Sequence, residues 1–187
     1  MPPRTRRCMS TSSRNCRLRP DPNLTTRHGV LMAMYGCGVF LTGDSGTGKS
    51  ELALRLIRRG HALVADDAPA FECHANRWIG RASDALHGRL QLRGIGVINV
   101  PSLLGPAAIQ ASTPVDLLIE LTRTPETDAR PLSGSRPRSF EFLGTTLPGW
   151  SIPVDAAPAS PELIETAVLA AGLHRKAAET TGAATWN

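Results

Sequence analysis

The stretch "LTGDSGTGKSELALRLIRRGHALVADD" (Leu41–Asp67) holds a complete phosphate-binding loop between an apolar strand and an amphipathic helix. The segment "GDSGTGKS" fits the pattern G-x-x-x-x-G-K-[ST] in the strand–helix context that this motif requires. Its glycines let backbone N–H groups approach a phosphate, and the helix N-terminus adds partial positive charge. The stretch therefore predicts triphosphate binding by one continuous loop, made of Gly43, Asp44, Ser45, Gly46, Thr47, Gly48, Lys49 and Ser50.

Four polar side chains of this stretch predict the chemistry around the phosphates. In P-loop proteins the lysine, here Lys49, reaches the β- and γ-phosphates, and the hydroxyl of Ser50 can ligate Mg²⁺. Asp66 closes the strand "ALVA", where such a carboxylate supports the metal. Asp67 is surplus to that role, and it is either a general base beside the γ-phosphate or a residue that starts a turn or caps a helix. Adjacent acids repel each other, so at least one of them is expected to carry a raised pKa.

The composition is that of a soluble chain with one ordinary domain. The 187 residues are 41% hydrophobic and 20% charged, and no apolar run approaches the roughly 20 residues that span a bilayer. No apolar segment follows the charged N-terminus, so the sequence predicts no signal peptide, no membrane partner and a cytoplasmic location. The four cysteines lack the clustered spacing of a zinc site.

Positive charge is concentrated at the N-terminus. Residues 1–27 hold seven arginines and one aspartate, for a charge of +6, whereas the remainder holds 14 basic and 15 acidic residues, for a charge of −1. Residues 1–23 are rich in Arg, Ser and Pro without periodicity, which predicts a disordered basic tail. Such a tail can attract nucleic acid. Aromatic residues make up only 4% of the chain and none lies among these arginines, so nucleic-acid binding is not expected.

Apolar periodicity predicts an α/β domain over residues 24–172. Two runs, "HGVLMAMY" and "GVFLTG", flank Gly36-Cys37-Gly38 and predict a hairpin. A helix over 50–59 has its apolar residues on one face and ends at Gly60. Further strands are predicted within 61–67, 89–100, 115–121 and 140–154, with a long polar loop over 122–139. The last helix is predicted to begin at Ser160–Pro161 and to end before Gly172, which leaves 173–187 as a C-terminal tail.

Three separated blocks resemble the catalytic domain of the HPr kinase/phosphorylase family. They are the stretch from Arg27 to Asp67, "WIGRASDALHGRL" (78–90) and "LRGIGVINV" (92–100), and they occur in the family's order at close to its spacings. The resemblance covers about residues 27–154. It implies an α/β P-loop kinase domain of the phosphoenolpyruvate-carboxykinase-like type, with a mixed sheet and flanking helices, in a hexamer.

The resemblance also implies an activity and its cofactors. Members phosphorylate a serine of the phosphocarrier HPr with ATP and Mg²⁺, which regulates carbohydrate metabolism through the phosphotransferase system. For this chain it implies an ATP-dependent protein serine kinase that acts on HPr or a related phosphocarrier. Asp67 matches the general base of phosphorylation and the acid of the reverse reaction. The other catalytic positions implied are His28, Lys49, Arg93 and Arg130, and the implied metal ligands are Ser50, Asp66 and Gln91.

The sequence departs from the family's pattern at three places. Gln91 stands where the signature carries a metal-binding glutamate, and an uncharged amide holds Mg²⁺ more weakly. The segment after "IPV" is "DAAPAS", which lacks the basic loop of the phosphorylase reaction. The large N-terminal domain of long members is not seen before His28, as in the family's short form. Kinase activity is therefore expected rather than phosphorolysis, and a catalytically weak nucleotide-binding regulatory module is the alternative.

Overall fold

The structure, a computed structural model, describes residues 24–123, 138–154 and 157–181. Its strands are β1 Thr25–Thr26, β2 Val30–Met34, β3 Cys37–Gly43, β4 Ala62–Ala65, β5 Ala70–His74, β6 Arg77–Arg81, β7 Arg89–Leu92, β8 Gly96–Asn99, β9 Ser112–Pro114, β10 Leu117–Thr122, β11 Arg138–Phe142 and β12 Thr145–Pro153. Its helices are α1 Lys49–Ile57, α2 Val100–Leu104 and α3 Pro161–Thr181, with a 3₁₀ turn at Pro106–Ala108. Within these residues, no helix combines the length and apolarity needed to cross a membrane.

A mixed six-stranded sheet forms the centre of the fold. Its strands follow the spatial order β11-β12-β10-β3-β2-β4. Strand β10 is parallel to β3 and to β12, whereas β2 is antiparallel to both β3 and β4. Strands β3, β4, β10 and β12 therefore run in the same direction, and their carboxyl ends lie along one edge. We call this edge, where these four strands end, the carboxyl edge.

The central sheet is covered on both faces, and β2 and β3 show this directly. Met32 and Leu41 belong to a core cluster that α1 and α3 cover, whereas Leu31 and Phe40 point into a second cluster. The second cluster is closed by an antiparallel sheet of order β1-β5-β6-β9. The α/β class predicted from the sequence, with a mixed sheet and flanking helices, is confirmed. Runs with apolar residues on both faces are typical of strands buried on both sides.

Two tight hairpins shape the sheets. Strands β2 and β3 pair from Met34↔Cys37 outward, so the turn is Tyr35–Gly36, with φ of 50° and 75°. Positive φ at both central residues is the signature of a type I′ turn, whose twist matches that of the strands. The predicted hairpin is confirmed, but its turn was placed too late, since Cys37 and Gly38 already belong to β3. Strands β5 and β6 form a second hairpin around Ala75–Asn76, which the sequence pattern does not predict because the turn lacks glycine.

Helix α1 forms as its pattern predicts. Its apolar face is buried, and its C-terminus closes with backbone bonds from Gly60 N–H to the Ile57 carbonyl and from His61 N–H to the Leu56 carbonyl. This pair of bonds is the Schellman arrangement, which requires the left-handed backbone that Gly60 supplies with φ of 96°. The predicted end of the helix at Gly60 is therefore confirmed.

Helix α3 begins as predicted but ends later. The Ser160 hydroxyl accepts a bond from the N–H of Leu163 at 3.1 Å, and Pro161 is the first helical residue. The prediction that the helix ends before Gly172 is wrong, since it continues to Thr181. Gly172 does not have a left-handed backbone. The residues that follow it include Ala, Leu, Lys and Glu, which favour helix enough to offset the roughly 1 kcal/mol that one glycine costs.

A charged cluster joins α3 to the C-terminal end of α1. Glu165 accepts two hydrogen bonds from the Arg59 guanidinium, at 2.8 and 2.7 Å, and a ring nitrogen of His61 lies 3.0 Å from it. The edge of the Tyr35 ring packs on His61, and Glu162 binds the outer side of Arg59. The Arg59 bonds, opposed by partial burial, lower the pKa of Glu165 to about 2.

We expect this cluster to make stability sensitive to acid. Since the Glu165 pKa is lowered on folding from its ordinary value of 4.5 to about 2, its contribution is present above pH 4.5 and is lost as the pH falls through 2. Glu165→Gln should lower the free energy of unfolding at neutral pH and flatten its pH dependence between 4.5 and 2. Urea unfolding at several pH values measures both effects. The exposed Glu141→Gln is the matched control, and parallel pH profiles for wild type and Glu165→Gln would contradict the expectation.

Candidate active site

The predicted site residues come together at the carboxyl edge because of strand direction. Strand β3 ends at Gly43 and leads into the loop, and β4 ends at Ala65, just before the two aspartates. Strand β2 lies between them and runs the opposite way, so His28, two residues before its start, enters the same edge. In open α/β sheets, ligands bind at the carboxyl ends of the strands.

The phosphate-binding loop is closed around the side chain of Lys49. The Lys49 ammonium donates to the carbonyl oxygens of Gly43 and Asp44, both at 2.8 Å, and the side chain is buried. Burial lowers the pKa of Lys49, while the negative charges of Asp44, Asp66 and Asp67 act in the opposite direction.

Gly43 is required by the neighbouring strand. A β-carbon built on Gly43 would lie 2.2 Å from the Leu121 carbonyl oxygen, which is backbone and cannot move aside. Residues Leu121 and Gly43 are partners in the parallel pair of β10 and β3. The first glycine of the motif therefore lets β10 approach the start of the loop, where any other residue would force the strands apart.

Asp66 is the buried anchor of the site. One carboxylate oxygen accepts the Ser50 hydroxyl at 3.0 Å, and the other accepts the backbone N–H of Gln91 at 2.8 Å. Burial raises the pKa of Asp66, and these two hydrogen bonds partly offset the rise. The expectation that one acid of the pair has a raised pKa is confirmed, and that acid is Asp66. The Gln91 contact comes from its main chain, and its side chain is exposed.

Asp67 sits at the exposed side of the same edge in an unusual backbone conformation. Its φ is 66°, and the N–H of Ala68 bonds to the Asp66 carbonyl at 2.9 Å, so Asp67 is the central residue of a γ-turn. The carboxylate lies 3.1 Å from Nδ1 of His28, and both side chains are more than half exposed. Positive φ at a residue other than glycine is strained and clusters at functional sites. The turn directs this carboxylate away from the core, unlike that of Asp66.

Arginines surround the tip of the loop. A β-carbon built on Gly46 would lie 3.3 Å from Nη2 of Arg93 and 3.4 Å from Nη2 of Arg123. Arg93 lies at the turn of the β7–β8 ribbon, whereas Arg123 follows the last residue of β10 and donates to the Gly46 carbonyl at 3.3 Å. Arg130, predicted from the resemblance, lies outside the described residues. Arg123 was missed because only the parallel pairing of β10 with β3 brings it to the loop.

The donor groups at this edge fit a magnesium ion that is shared with a nucleotide. In residues 24–123, 138–154 and 157–181 there is no group of three or more His, Cys, Asp and Glu that could hold a metal alone. Mg²⁺ commonly uses one or two carboxylates together with substrate phosphates and water. The buried carboxylate of Asp66, held beside the Ser50 hydroxyl at the end of the loop, is such a partial ligand set.

Comparison with known proteins identifies the family. The model of the HPr Serine kinase C-terminal domain matches residues 22–185. The chain is 39% identical over 146 residues to the HPr kinase/phosphorylase of Lactococcus lactis, and 41% identical over 143 residues to that of Alkaliphilus metalliredigens. These stretches cover 78% and 76% of this chain but 47% and 46% of the two relatives. The chain therefore spans about half the length of the curated relatives it matches.

A solved structure agrees with the sequence relatives. The structure of the Hpr(Ser) kinase/phosphatase from Coxiella burnetii superposes with a TM-score of 0.77 at 33% sequence identity. The match covers 84% of this chain and 96% of that chain. With the loop, the aspartate pair and the mixed sheet already in place, these matches lead to one conclusion: the chain belongs to the HPr serine kinase C-terminal domain family.

Proposed function

We propose that this chain is an ATP-dependent protein serine kinase that phosphorylates HPr or a related phosphocarrier of the phosphotransferase system. The observation that carries the proposal is the convergence at one edge of Lys49 inside the loop, Ser50 bound to Asp66, and Asp67 paired with His28. The P-loop fold would then be of the phosphoenolpyruvate-carboxykinase-like type, with residues 24–172 as the catalytic unit. Relatives named HPr kinase/phosphorylase support the choice of substrate, and the family resemblance favours a hexamer.

ATP and Mg²⁺ are the proposed cofactors. The loop Gly43–Ser50 would cradle the phosphates with its N–H groups, and Lys49 would exchange its carbonyl partners for phosphate oxygens. Ser50 and Asp66 would hold Mg²⁺, with the Gln91 amide as a weaker contributor. Mg²⁺ would neutralise the charge that develops on the β- and γ-phosphates. The Asp66–Gln91 backbone bond ties this ligand pair to the β7–β8 ribbon.

The proposed chemistry is in-line phosphoryl transfer. The serine oxygen of the carrier forms a bond to the γ-phosphorus as the bond to the bridging oxygen breaks, and ADP leaves. The serine proton passes to the carboxylate of Asp67, which is exposed toward solvent and held 3.1 Å from His28. His28 would keep this carboxylate oriented by donating its Nδ1–H. Positioning and electrostatic stabilisation supply most of the acceleration in such reactions.

Phosphorylation of the carrier is proposed to dominate over phosphorolysis of the phosphorylated carrier. Phosphorolysis by phosphate or pyrophosphate needs positive charge for a second anion, whereas the segment "DAAPAS" after Val154 carries one acid and no base. A catalytically weak nucleotide-binding module remains the second candidate, and the exposed amide at Gln91 is the observation that favours it. Turnover of ATP with a carrier distinguishes these two functions.

The proposal is tested by transfer of label from [γ-³²P]ATP to a panel of purified phosphocarriers in the presence of Mg²⁺. We expect one carrier to be labelled on serine, and Lys49→Ala to abolish both labelling and productive ATP binding, because the ammonium neutralises the phosphates. Arg58→Ala, which removes an exposed positive charge at the end of α1 opposite the loop, should behave as wild type. ATP bound with no transfer to any carrier would favour the regulatory module, and undiminished turnover in Lys49→Ala would refute the nucleotide site.

Asp67→Asn should separate catalysis from binding. The amide keeps the shape of the side chain and cannot take a proton, so we expect the rate of transfer to fall by about 10²–10⁴. ATP affinity should stay within about threefold of wild type, because a proton acceptor acts on the transition state rather than on bound nucleotide. Single-turnover kinetics and nucleotide titration measure the two quantities. Asp66→Asn is the contrasting variant and should raise the Mg²⁺ requirement. A near-wild-type rate in Asp67→Asn would exclude it as the base.

Gln91→Glu should reduce the concentration of Mg²⁺ needed for half-maximal activity. A carboxylate is a stronger ligand for this hard cation than an amide, and the backbone of residue 91 already contacts Asp66. Mg²⁺ titration of initial rates is the measurement. Gln110→Glu is the matched control, because Gln110 is exposed and its side chain is bonded to the Ser112 carbonyl. Superimposable titrations for wild type and Gln91→Glu would place residue 91 away from the metal.

A further inference from the structure

The end of β10 carries a positive charge that the family pattern did not predict. Arg123 immediately follows Thr122, the last residue of β10. Leu121 pairs with Gly43 in the parallel register of β10 and β3. The strand therefore delivers Arg123 to the side of the phosphate-binding loop, because parallel strands end together at the carboxyl edge.

The contact of Arg123 with the loop is specific. Its Nη2 donates to the carbonyl of Gly46 at 3.3 Å. A guanidinium carries five N–H donors in a rigid fork, so this bond leaves most of them available for a second acceptor. Gly46 belongs to the part of the motif whose N–H groups face bound phosphate. The guanidinium is thus anchored at the loop and has further donors beside the phosphate position.

Arg93, at the turn of the β7–β8 ribbon, also lies beside Gly46. Both Nη2 atoms lie within 3.4 Å of the position of a β-carbon on Gly46, although the two residues come from β10 and from the β7–β8 ribbon. Among the described residues, neither guanidinium forms an ion pair with a carboxylate. Two like charges that converge without an acid between them repel, so their juxtaposition is stabilised when an anion binds there.

Resting on the proposed function, we propose that Arg123 is an arginine finger supplied in cis, which binds the γ-phosphate of ATP and stabilises its charge during transfer. Arg123 would bridge the γ-phosphate oxygens and the Gly46 carbonyl, while Arg93 lies close to the same glycine. The bond that forms joins the γ-phosphorus to the serine oxygen, the bond to the bridging oxygen breaks, and Arg123 exchanges no proton. Arginine suits this role because it stays charged and offers parallel donors to phosphate.

Nucleotide binding tests the proposal without requiring a carrier. Arg123→Ala should weaken a non-hydrolysable ATP analogue by about 10–100-fold while ADP affinity changes by less than about threefold, because a charged hydrogen bond to the γ-phosphate is lost. Arg123→Lys should recover part of the loss. Arg58→Ala is the matched control, since Arg58 is exposed at the C-terminal end of α1, the opposite end of the helix from the loop. Equal loss for both nucleotides, or loss for neither, would overturn the assignment.

A transition-state mimic provides the second measurement. ADP with aluminium fluoride should bind wild type more tightly than ADP alone, and Arg123→Ala should remove most of that gain. In single-turnover transfer at saturating ATP, Arg123→Ala should lower the rate by about 10²–10³, in addition to the weaker binding of ATP. A purely structural role would lower ADP affinity and thermal stability as well. If no carrier is phosphorylated by wild type, the proposed function fails, yet the difference between ATP-analogue and ADP affinities still decides whether Arg123 contacts the γ-phosphate.

Discussion

The hydrogen bonds to the buried carboxylate of Asp66 are the constraint on which the site depends. Through Ser50 they hold the first turn of α1, and through the N–H of Gln91 they hold the β7–β8 ribbon, while Asp66 itself directly follows β4. One side chain thus connects three elements that are distant in sequence. A carboxylate at this depth is costly unless its oxygens are satisfied, and here each oxygen has a donor. That arrangement holds the groups proposed to bind Mg²⁺ in place without a bound nucleotide.

The two neighbouring aspartates differ because the backbone turns between them. Asp66 points inward from a regular strand and has a pKa raised by burial, whereas the left-handed φ of Asp67 aims the next carboxylate outward toward His28. A regular strand would also alternate the two side chains, but it would carry the chain on along the sheet. The γ-turn directly follows β4, so Asp67 lies at the exposed side of the carboxyl edge. The different environments of the two adjacent acids therefore come from one backbone conformation.

How far the sequence predicts this structure depends on how local each signal is. Short motifs predict the strand–loop–helix order around residues 43–50, the buried face of α1 and the start of α3, and all three are confirmed. The β5–β6 hairpin was not predicted because Ala75–Asn76 adopts a type I′ turn without the usual glycine. The predicted end of α3 at Gly172 is wrong because the helix-forming residues after it offset the cost of one glycine. Arg123 could not be placed, since its proximity to Gly46 depends on the register of β10 against β3, which no single segment encodes.

The β2–β3 hairpin has a consequence for the order in which the molecule is built. His28 lies just before the first strand of this hairpin, and the loop begins where the second strand ends. Both therefore lie at the end of the hairpin opposite its turn. The Tyr35–Gly36 turn closes that unit through contacts that are short in sequence. Local contacts form with a small loss of chain entropy, whereas the pairing of β10 with β3 must close a segment of more than seventy residues. We therefore expect the histidine and the start of the loop to be brought together early in folding, and the arginine side of the site to be added only when the parallel sheet is completed.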